Sequence, residues 1–186
     1  MSRLKKVFDE SDIQYIIVGG IAVIHYGLVR TTQDVDVIIE DDESKFPRFF
    51  KSLRKHDFDF SVEQFQLGYE EKTNISIFDK NSTLRLDLKI AHRTEEIDLL
   101  KSAIQDDILG FSLFIAPLEY VLLGKLLYMG NIDDIPDSEL YEYQDVSDFL
   151  TLFHANKEQI NKPFLVKKAN EYHLGSTLKR LRSIKL

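Results

Sequence analysis

Two aspartates alternate with valines in a segment that otherwise consists of apolar residues. Asp34 and Asp36 frame Val35 in the stretch DVDV. Because residues two apart in a strand project from the same face, both carboxylates point one way while the valines point into the core. Neighbouring carboxylates repel each other and lose hydration, and a shared divalent cation offsets that cost. An isolated DVDV is more simply explained as a strand end facing water, so the surrounding residues decide the interpretation.

A glycine pair precedes the aspartates. Gly19-Gly20 ends the β-branched run 13–18 at a predicted turn from strand to helix. The missing side chains allow backbone N–H groups to approach a ligand, and the start of the following helix favours an anion such as phosphate. Most glycine pairs are only tight turns, so this feature is weak evidence by itself.

A third carboxylate lies in the segment LRLDLKI. Strand alternation places Asp87 on the side opposite its leucine neighbours, together with Arg85 and Lys89. A lone aspartate in this setting is more often a surface residue paired with those bases. Three carboxylates on adjacent strands beside a phosphate-binding turn, however, are what two-metal phosphoryl transfer requires.

The elements that position these residues follow from hydrophobic periodicity and turn residues. We predict helices over 2–10, 21–26, 94–104, 118–129 and 138–155, followed by a C-terminal helix pair broken at Gly175. We predict strands over 13–18 and 34–40, a hairpin over 74–90 and a strand pair turning near Gly110. A helix is predicted to begin with the acidic residues 41–44, and 61–72 is a helix or a loop. The sequence therefore predicts an α/β domain, 1–116, and a helical extension packed on it, 117–186.

Composition limits the function classes. The chain has 186 residues, 44% of them hydrophobic and 30% charged, with no cysteine and five histidines without zinc-ligand spacing. Carboxylates must therefore hold any metal, which favours Mg²⁺ or Mn²⁺. The absence of cysteine fits a cytoplasmic location, which we predict. No segment has the length of a membrane span or the pattern of a signal peptide, so we also predict no membrane partner.

Charge is distributed unevenly along the chain. The net charge is −7, yet residues 162–186 carry seven basic residues and one acidic residue. The acidic body argues against broad nucleic-acid binding, whereas the basic tail leaves room for a local contact. A solvated helix face is the simpler explanation of that tail.

The stretch VGGIAVIHYGLVRTTQDVDVIIE resembles the signature of the nucleotidyltransferase superfamily that includes DNA polymerase beta. The Gly-Gly opening and the lead-in Arg30-Thr31-Thr32 are similar to the branch of AbiEii-like toxins and lincosamide-type antibiotic nucleotidyltransferases. That branch also carries a lysine in a later helix, here Lys125, and a KDxxDxxxL segment, which YQDVSDFLTLF matches with Gln144 in place of lysine. The resemblance implies an α+β fold: a small mixed or antiparallel sheet flanked by helices, with a C-terminal helical extension.

The resemblance also implies roles for individual residues. Gly19 and Gly20 would hold the triphosphate of a nucleotide, and Asp34 and Asp36 would bind the metal ions. Asp87 would complete the second metal site and help to deprotonate the acceptor hydroxyl. The remaining candidates for contacts to the nucleotide are Arg30, Thr31 and Lys125. A surface ion pair and a helix lysine reaching for water explain Arg30 and Lys125 equally well, and Asp145 and Asp148 fit a structural or solvent-facing pair better than metal ligands.

Two functions follow from these features. The first is an enzyme that transfers a nucleoside monophosphate from a nucleoside triphosphate to a small molecule, a protein or an RNA end. The alternative is a partner-binding protein on the same fold, such as half of a toxin–antitoxin pair, with or without activity. Three intact acids favour the enzyme, because a scaffold has no need of an electrostatically costly trio.

Overall fold

The computed structural model describes residues 1–130 and 132–184. Its contacts group the chain into two units: Met1–Ala22 with Thr31–Ala116 (unit 1), and Val23–Arg30 with Pro117–Leu186 (unit 2). The predicted domains 1–116 and 117–186 stay a prediction. Asn131, and Lys185 and Leu186 of the basic tail 162–186, lie outside the described residues.

Unit 1 contains one mixed sheet of seven strands. The strands are β1 (Tyr15–Ile17), β2 (Asp34–Ile39), β3 (Phe58–Asp59), β4 (Ile75–Asp79), β5 (Arg85–Ile90), β6 (Ile104–Ile108) and β7 (Phe111–Ile115). Their order is β3-β4-β5-β2-β1-β7-β6. The pairs β2–β5 and β1–β7 are parallel and the others are antiparallel. The predicted α+β fold with a mixed sheet is confirmed, as are both predicted strand pairs near the end of unit 1.

Strand alternation in β2 and β5 follows the hydrophobic pattern of the sequence. Val35 and Val37 are buried, whereas the aspartates on either side of Val35 are partly exposed. Leu86 and Leu88 of β5 are buried in the same way. Each apolar side chain that is removed from water stabilises the fold by about 1.5–3 kcal/mol. A register slip of one residue would bury the carboxylates, so the apolar residues fix which face the acids occupy.

Four helices lie wholly within unit 1. They are α1 (Ser2–Ser11), α3 (Phe46–Lys55), α4 (Val62–Glu71) and α5 (Thr94–Lys101). The prediction that residues 41–44 begin a helix is wrong, because Asp42 accepts hydrogen bonds from both the N–H and the hydroxyl of Ser44 and forms a local turn instead. The helix begins two residues later, with Pro47 in its first turn. In α4, Ser61 caps the helix by accepting from the Gln64 N–H at 3.1 Å.

Unit 2 is helical. Helix α2 (Gly19–His25) begins in unit 1 and ends in unit 2, and α6 (Leu118–Tyr128), α7 (Gln144–Ala155), α8 (Lys162–Glu171) and α9 (Gly175–Ser183) follow. No helix among residues 1–130 and 132–184 is both long and apolar enough to cross a membrane.

Two boundaries in unit 2 differ from the predictions. A continuous helix over 138–155 is wrong: a 3-10 turn at Leu140–Glu142 precedes Tyr143, whose extended backbone (φ −88°, ψ 119°) separates it from α7. Leu140 is fully buried in that turn, so apolar burial holds the chain there without a regular helix. Gly175 is the first residue of α9 and not the break itself, which falls at His173 with φ 59°.

Candidate active site

The parallel pairing of β2 with β5 brings the three predicted acids to one face of the sheet in unit 1. Asp36 lies directly opposite Asp87, and Asp34 lies directly opposite Arg85. Asp34 and Asp36 share a face because they are two residues apart in one strand. The side chain of Asp34 is 34% exposed and that of Asp87 is 14% exposed, so a solute can reach both carboxylates.

The glycine pair lies against one of these acids. Gly19 has φ +60°, and a Cβ at this position would lie 1.9 Å from Asp36 Oδ2. The N–H of Gly20 donates to the same oxygen at 3.4 Å, and the Val18 N–H donates to the backbone carbonyl of Asp36 at 2.9 Å. Only glycine allows both the left-handed backbone and this close approach of a carboxylate. The turn and Asp36 are therefore fitted to each other.

The other two acids are anchored by hydroxyl groups. Thr32 Oγ1 donates to Asp34 Oδ1 at 2.6 Å, and Ser76 Oγ donates to Asp87 Oδ1 at 3.0 Å. In each carboxylate the second oxygen, Oδ2, is turned toward Arg85. Thr31, the threonine that the sequence predicts as a nucleotide contact, is exposed, and Thr32 and Ser76 were not predicted as site residues. The register of the hairpin could have revealed Ser76, since it lies directly opposite Asp87 in the β4–β5 pair.

Arg85 bridges two of the three acids. Its Nη2 donates to Asp87 Oδ2 at 2.7 Å and to Asp34 Oδ2 at 3.3 Å. The hydrogen bond to Asp87 and the charges of Asp87, Asp34 and Asp36 raise the pKa of Arg85 above its ordinary value. The ion pair between Asp87 and Arg85 that the sequence predicts is therefore present, and Arg85 also pairs with Asp34.

The donor set suits a hard divalent cation, because all three acids offer carboxylate oxygens. No three acidic or histidine side chains of the described residues, however, converge as a ready metal cluster. Two of the acids are instead turned to the guanidinium of Arg85. The residues thus fit Mg²⁺ or Mn²⁺ in chemical type, and a shared cation requires the Arg85 side chain to move aside.

The two predicted cationic residues belong to unit 2, where they surround a buried acid. Asp148 has no exposed surface, and Lys125 Nζ lies 2.7 Å from its Oδ2 and 2.8 Å from Asp145 Oδ1. Arg30 Nη1 lies 3.5 Å from Asp148 Oδ2, and Gln144 Nε2 donates to Asp148 Oδ1 at 2.7 Å. Asp148 is therefore an internal anion whose charge Lys125 and Arg30 compensate, and only Asp145 faces solvent.

Comparison with known proteins agrees with this description. Residues 1–77 match the model of a family described as a nucleotidyltransferase of unknown function, DUF6036. That range includes the glycine turn, Asp34 and Asp36 but neither Asp87 nor Lys125. No curated protein sequence matches the chain.

Solved nucleotidyltransferase structures share the fold. ANT(2″)-Ia in complex with adenylyl-2″-tobramycin has a TM-score of 0.57 at 13% identity, and the match covers 92% of this chain and 97% of that one. An antigenic nucleotidyltransferase-like protein from Paracoccidioides brasiliensis has a TM-score of 0.51 at 21% identity, and the match covers 82% of this chain and 72% of that one. These structures confirm the predicted nucleotidyltransferase fold, and the family match over residues 1–77 agrees with it.

Proposed function

We propose that this chain, which has the nucleotidyltransferase fold, transfers a nucleoside monophosphate from a nucleoside triphosphate to an acceptor group, with Mg²⁺ or Mn²⁺ as cofactor. The observation that supports this most directly is the register of β2 and β5, which sets Asp36 opposite Asp87 with Asp34 on the same face. Two acids from one strand and a third from its neighbour carry three negative charges, of which the single charge of Arg85 offsets one, so the arrangement suits a divalent cation.

In the proposed reaction, Asp34 and Asp36 would hold the metal ions, and Asp87 would complete the second metal site and accept the proton of the acceptor hydroxyl. The acceptor oxygen forms a bond to the α-phosphorus, the bond from that phosphorus to the bridging oxygen of pyrophosphate breaks, and pyrophosphate leaves. When bound, the divalent cation neutralises phosphate charge and stabilises the transition state electrostatically. Asp87 is suited to its role because a solute can reach it while Ser76 fixes one of its oxygens.

The glycine turn and its neighbours complete the proposed nucleotide site. We assign the triphosphate to Gly19 and Gly20 and a nucleotide contact to Thr31, which is exposed just before β2. The phosphate role of Arg30 and Lys125 stays a prediction, and their ion pairs with Asp148 give them a second, structural explanation.

The acceptor is best sought first among small hydroxylated molecules. The ANT(2″)-Ia structure contains an adenylylated tobramycin, and the fold that the two proteins share covers 92% of the present chain. Protein side chains and RNA ends are the other acceptors to test, since one fold serves many substrates.

Calorimetric titration of the intact chain with ATP and Mg²⁺ tests the first half of the proposal. We expect binding that Asp36→Asn weakens at least about tenfold, because it removes a charged ligand of the cation. Asp59→Asn is the matched control, since its side chain is 70% exposed on the edge strand β3. If the folded wild-type protein binds no nucleotide, the enzyme proposal fails and a partner-binding protein becomes the better explanation.

Labelled nucleotides test the second half. A nucleoside triphosphate labelled at the α-phosphate is incubated with the protein and with hydroxylated small molecules, proteins or RNA in separate reactions. The proposal requires label to pass to one of these fractions from the α-position and never from the γ-position. Transfer of γ-label would indicate a kinase and would contradict the mechanism.

A further inference from the structure

We propose that Arg85 is an internal counter-ion that occupies the place of a cation between Asp34 and Asp87, so that a divalent ion and the Arg85 side chain compete for these acids. This inference rests on the proposed function, because it concerns the same metal site. It goes further by naming a residue of this chain that limits the affinity of the site for metal.

The contact pattern of one atom carries the inference. The same guanidinium nitrogen, Nη2, lies 2.7 Å from Asp87 Oδ2 and 3.3 Å from Asp34 Oδ2. A single positive centre between oxygens of two strands is also the relation that a bridging metal ion requires. Because both oxygens face the same nitrogen, neither carboxylate can share a cation with the other while Arg85 stays in place.

The acids are held from the opposite side, so they can remain when Arg85 leaves. Thr32 and Ser76 each bind the oxygen that does not face Arg85. The Arg85 side chain is 45% exposed, and a long flexible side chain at that exposure can turn into solvent. The arginine is therefore the mobile partner and the two carboxylates are the fixed ones.

A purely structural role for Arg85 predicts the opposite effect on metal binding. If the guanidinium only orients the acids, its removal disorders them and weakens the affinity for metal. If it competes, its removal takes the shared positive charge away from Asp34 and Asp87 and strengthens that affinity. The direction of change in the dissociation constant therefore separates the two roles.

The experiment is a titration of the intact chain with Mn²⁺ alone, in which free Mn²⁺ is followed by electron paramagnetic resonance. We expect Arg85→Gln to bind Mn²⁺ about three- to tenfold more tightly than the wild type. Arg85→Lys should fall between the two, because the ammonium keeps the charge but not the planar fork. Arg48→Gln, an exposed arginine of α3, is the matched control and should not change the affinity.

The outcomes distinguish this inference from the proposed function. If Asp36→Asn abolishes Mn²⁺ binding while Arg85→Gln leaves it unchanged or weakens it, competition is refuted and the metal site stands. If neither the wild type nor Arg85→Gln binds Mn²⁺, both the metal site and the competition are refuted. Circular dichroism confirms that each variant is folded, and should Arg85→Gln fail to fold, an affinity of Arg85→Lys no tighter than that of the wild type refutes the inference.

Discussion

Replacement of Gly19 by alanine, which exchanges one hydrogen atom for a methyl group, should damage the proposed site. The new Cβ would lie 1.9 Å from Asp36 Oδ2, whereas ordinary contact begins at 3.4 Å, so the carboxylate must move by about 1.5 Å. The backbone of Asp36 cannot follow, because β2 is paired on both sides and the Val18 N–H holds its carbonyl. The displacement therefore falls on the side chain that the mechanism assigns to the cation.

The size of the effect follows from two contributions. The left-handed backbone at φ +60° costs alanine about 1–2 kcal/mol, and the forced shift of Asp36 adds about 1 kcal/mol. We therefore expect Gly19→Ala to lower the free energy of unfolding by about 2–3 kcal/mol. A displacement of about 1 Å in a catalytic site costs about 100-fold in rate, and a loss of that order is expected in nucleotidyl transfer.

Urea denaturation followed by circular dichroism measures the stability, and transfer of α-label measures the activity. Gly124→Ala is the matched control, because a Cβ there meets nothing within 4 Å in α6 and should stabilise that helix by about 0.5–1 kcal/mol. The double variant Gly19→Ala, Asp36→Gly removes the clash and should regain the part of the stability that the displacement cost, without regaining activity. A Gly19→Ala protein as stable and active as the wild type would refute the fit between the turn and Asp36.

Three further predictions concern stability, each measured by urea denaturation. Burial would raise the pKa of Glu96, but a hydrogen bond from Lys89 and those from neighbouring donors outweigh it and lower the pKa to about 2. Since that value lies below the unfolded pKa of about 4.3, the ionised carboxylate stabilises the fold above pH 4.3, and this stabilisation is lost as the pH falls toward 2. Glu96→Gln should therefore lower the free energy of unfolding by roughly 1–3 kcal/mol at neutral pH and by progressively less between pH 4.3 and 2. Asp148→Ala removes the buried carboxylate that Lys125 and Arg30 share and should lower the free energy of unfolding by about 3–5 kcal/mol, against less than about 1 kcal/mol for Asp145→Ala, whose side chain is 33% exposed. Asn156→Ala should cost about 1–2 kcal/mol, because its Nδ2 donates to two backbone carbonyls at 3.0 and 3.1 Å.

Each of these has a contradicting result. If the difference in the free energy of unfolding between the wild type and Glu96→Gln does not change between pH 4.3 and 2, the partners of this carboxylate do not hold it ionised. If Asp148→Ala and Asp145→Ala lower the free energy of unfolding equally, the burial of the Asp148 carboxylate does not affect stability. An Asn156→Ala protein as stable as the wild type would show that water replaces both hydrogen bonds without loss.

The sequence predicts the fold of unit 1 well where periodicity is strict. Alternation alone places Asp34, Asp36 and Asp87 on the exposed sides of β2 and β5, because the valines and leucines between them must be buried. Alternation cannot reveal that these strands are parallel neighbours, since pairing depends on contacts between distant segments. The register that sets Asp36 opposite Asp87 is therefore known only from the structure.

The same limit explains what the sequence analysis missed around the site. Arg85 could be paired with Asp87 from their spacing, but its contact with Asp34 crosses to another strand. Lys125 and Arg30 looked like candidates for phosphate, because nothing in the spacing predicts that Asp148 is buried between them. The helix break at Tyr143 was missed because local propensity is overridden where Leu140 is buried in a turn.

The parallel pairing of β2 with β5 also has a consequence for how the protein acquires its site during folding. Arg85 and Asp34 are 51 residues apart in sequence, and a parallel pair cannot close through a short turn. The two strands meet only when the long loop between them closes, and closing so long a loop is slow compared with forming a helix or a hairpin. A nascent chain that has emerged only as far as residue 77 holds two of the three acids and no Arg85. The chain therefore gains its complete acidic trio and the cation that masks it in the same folding event.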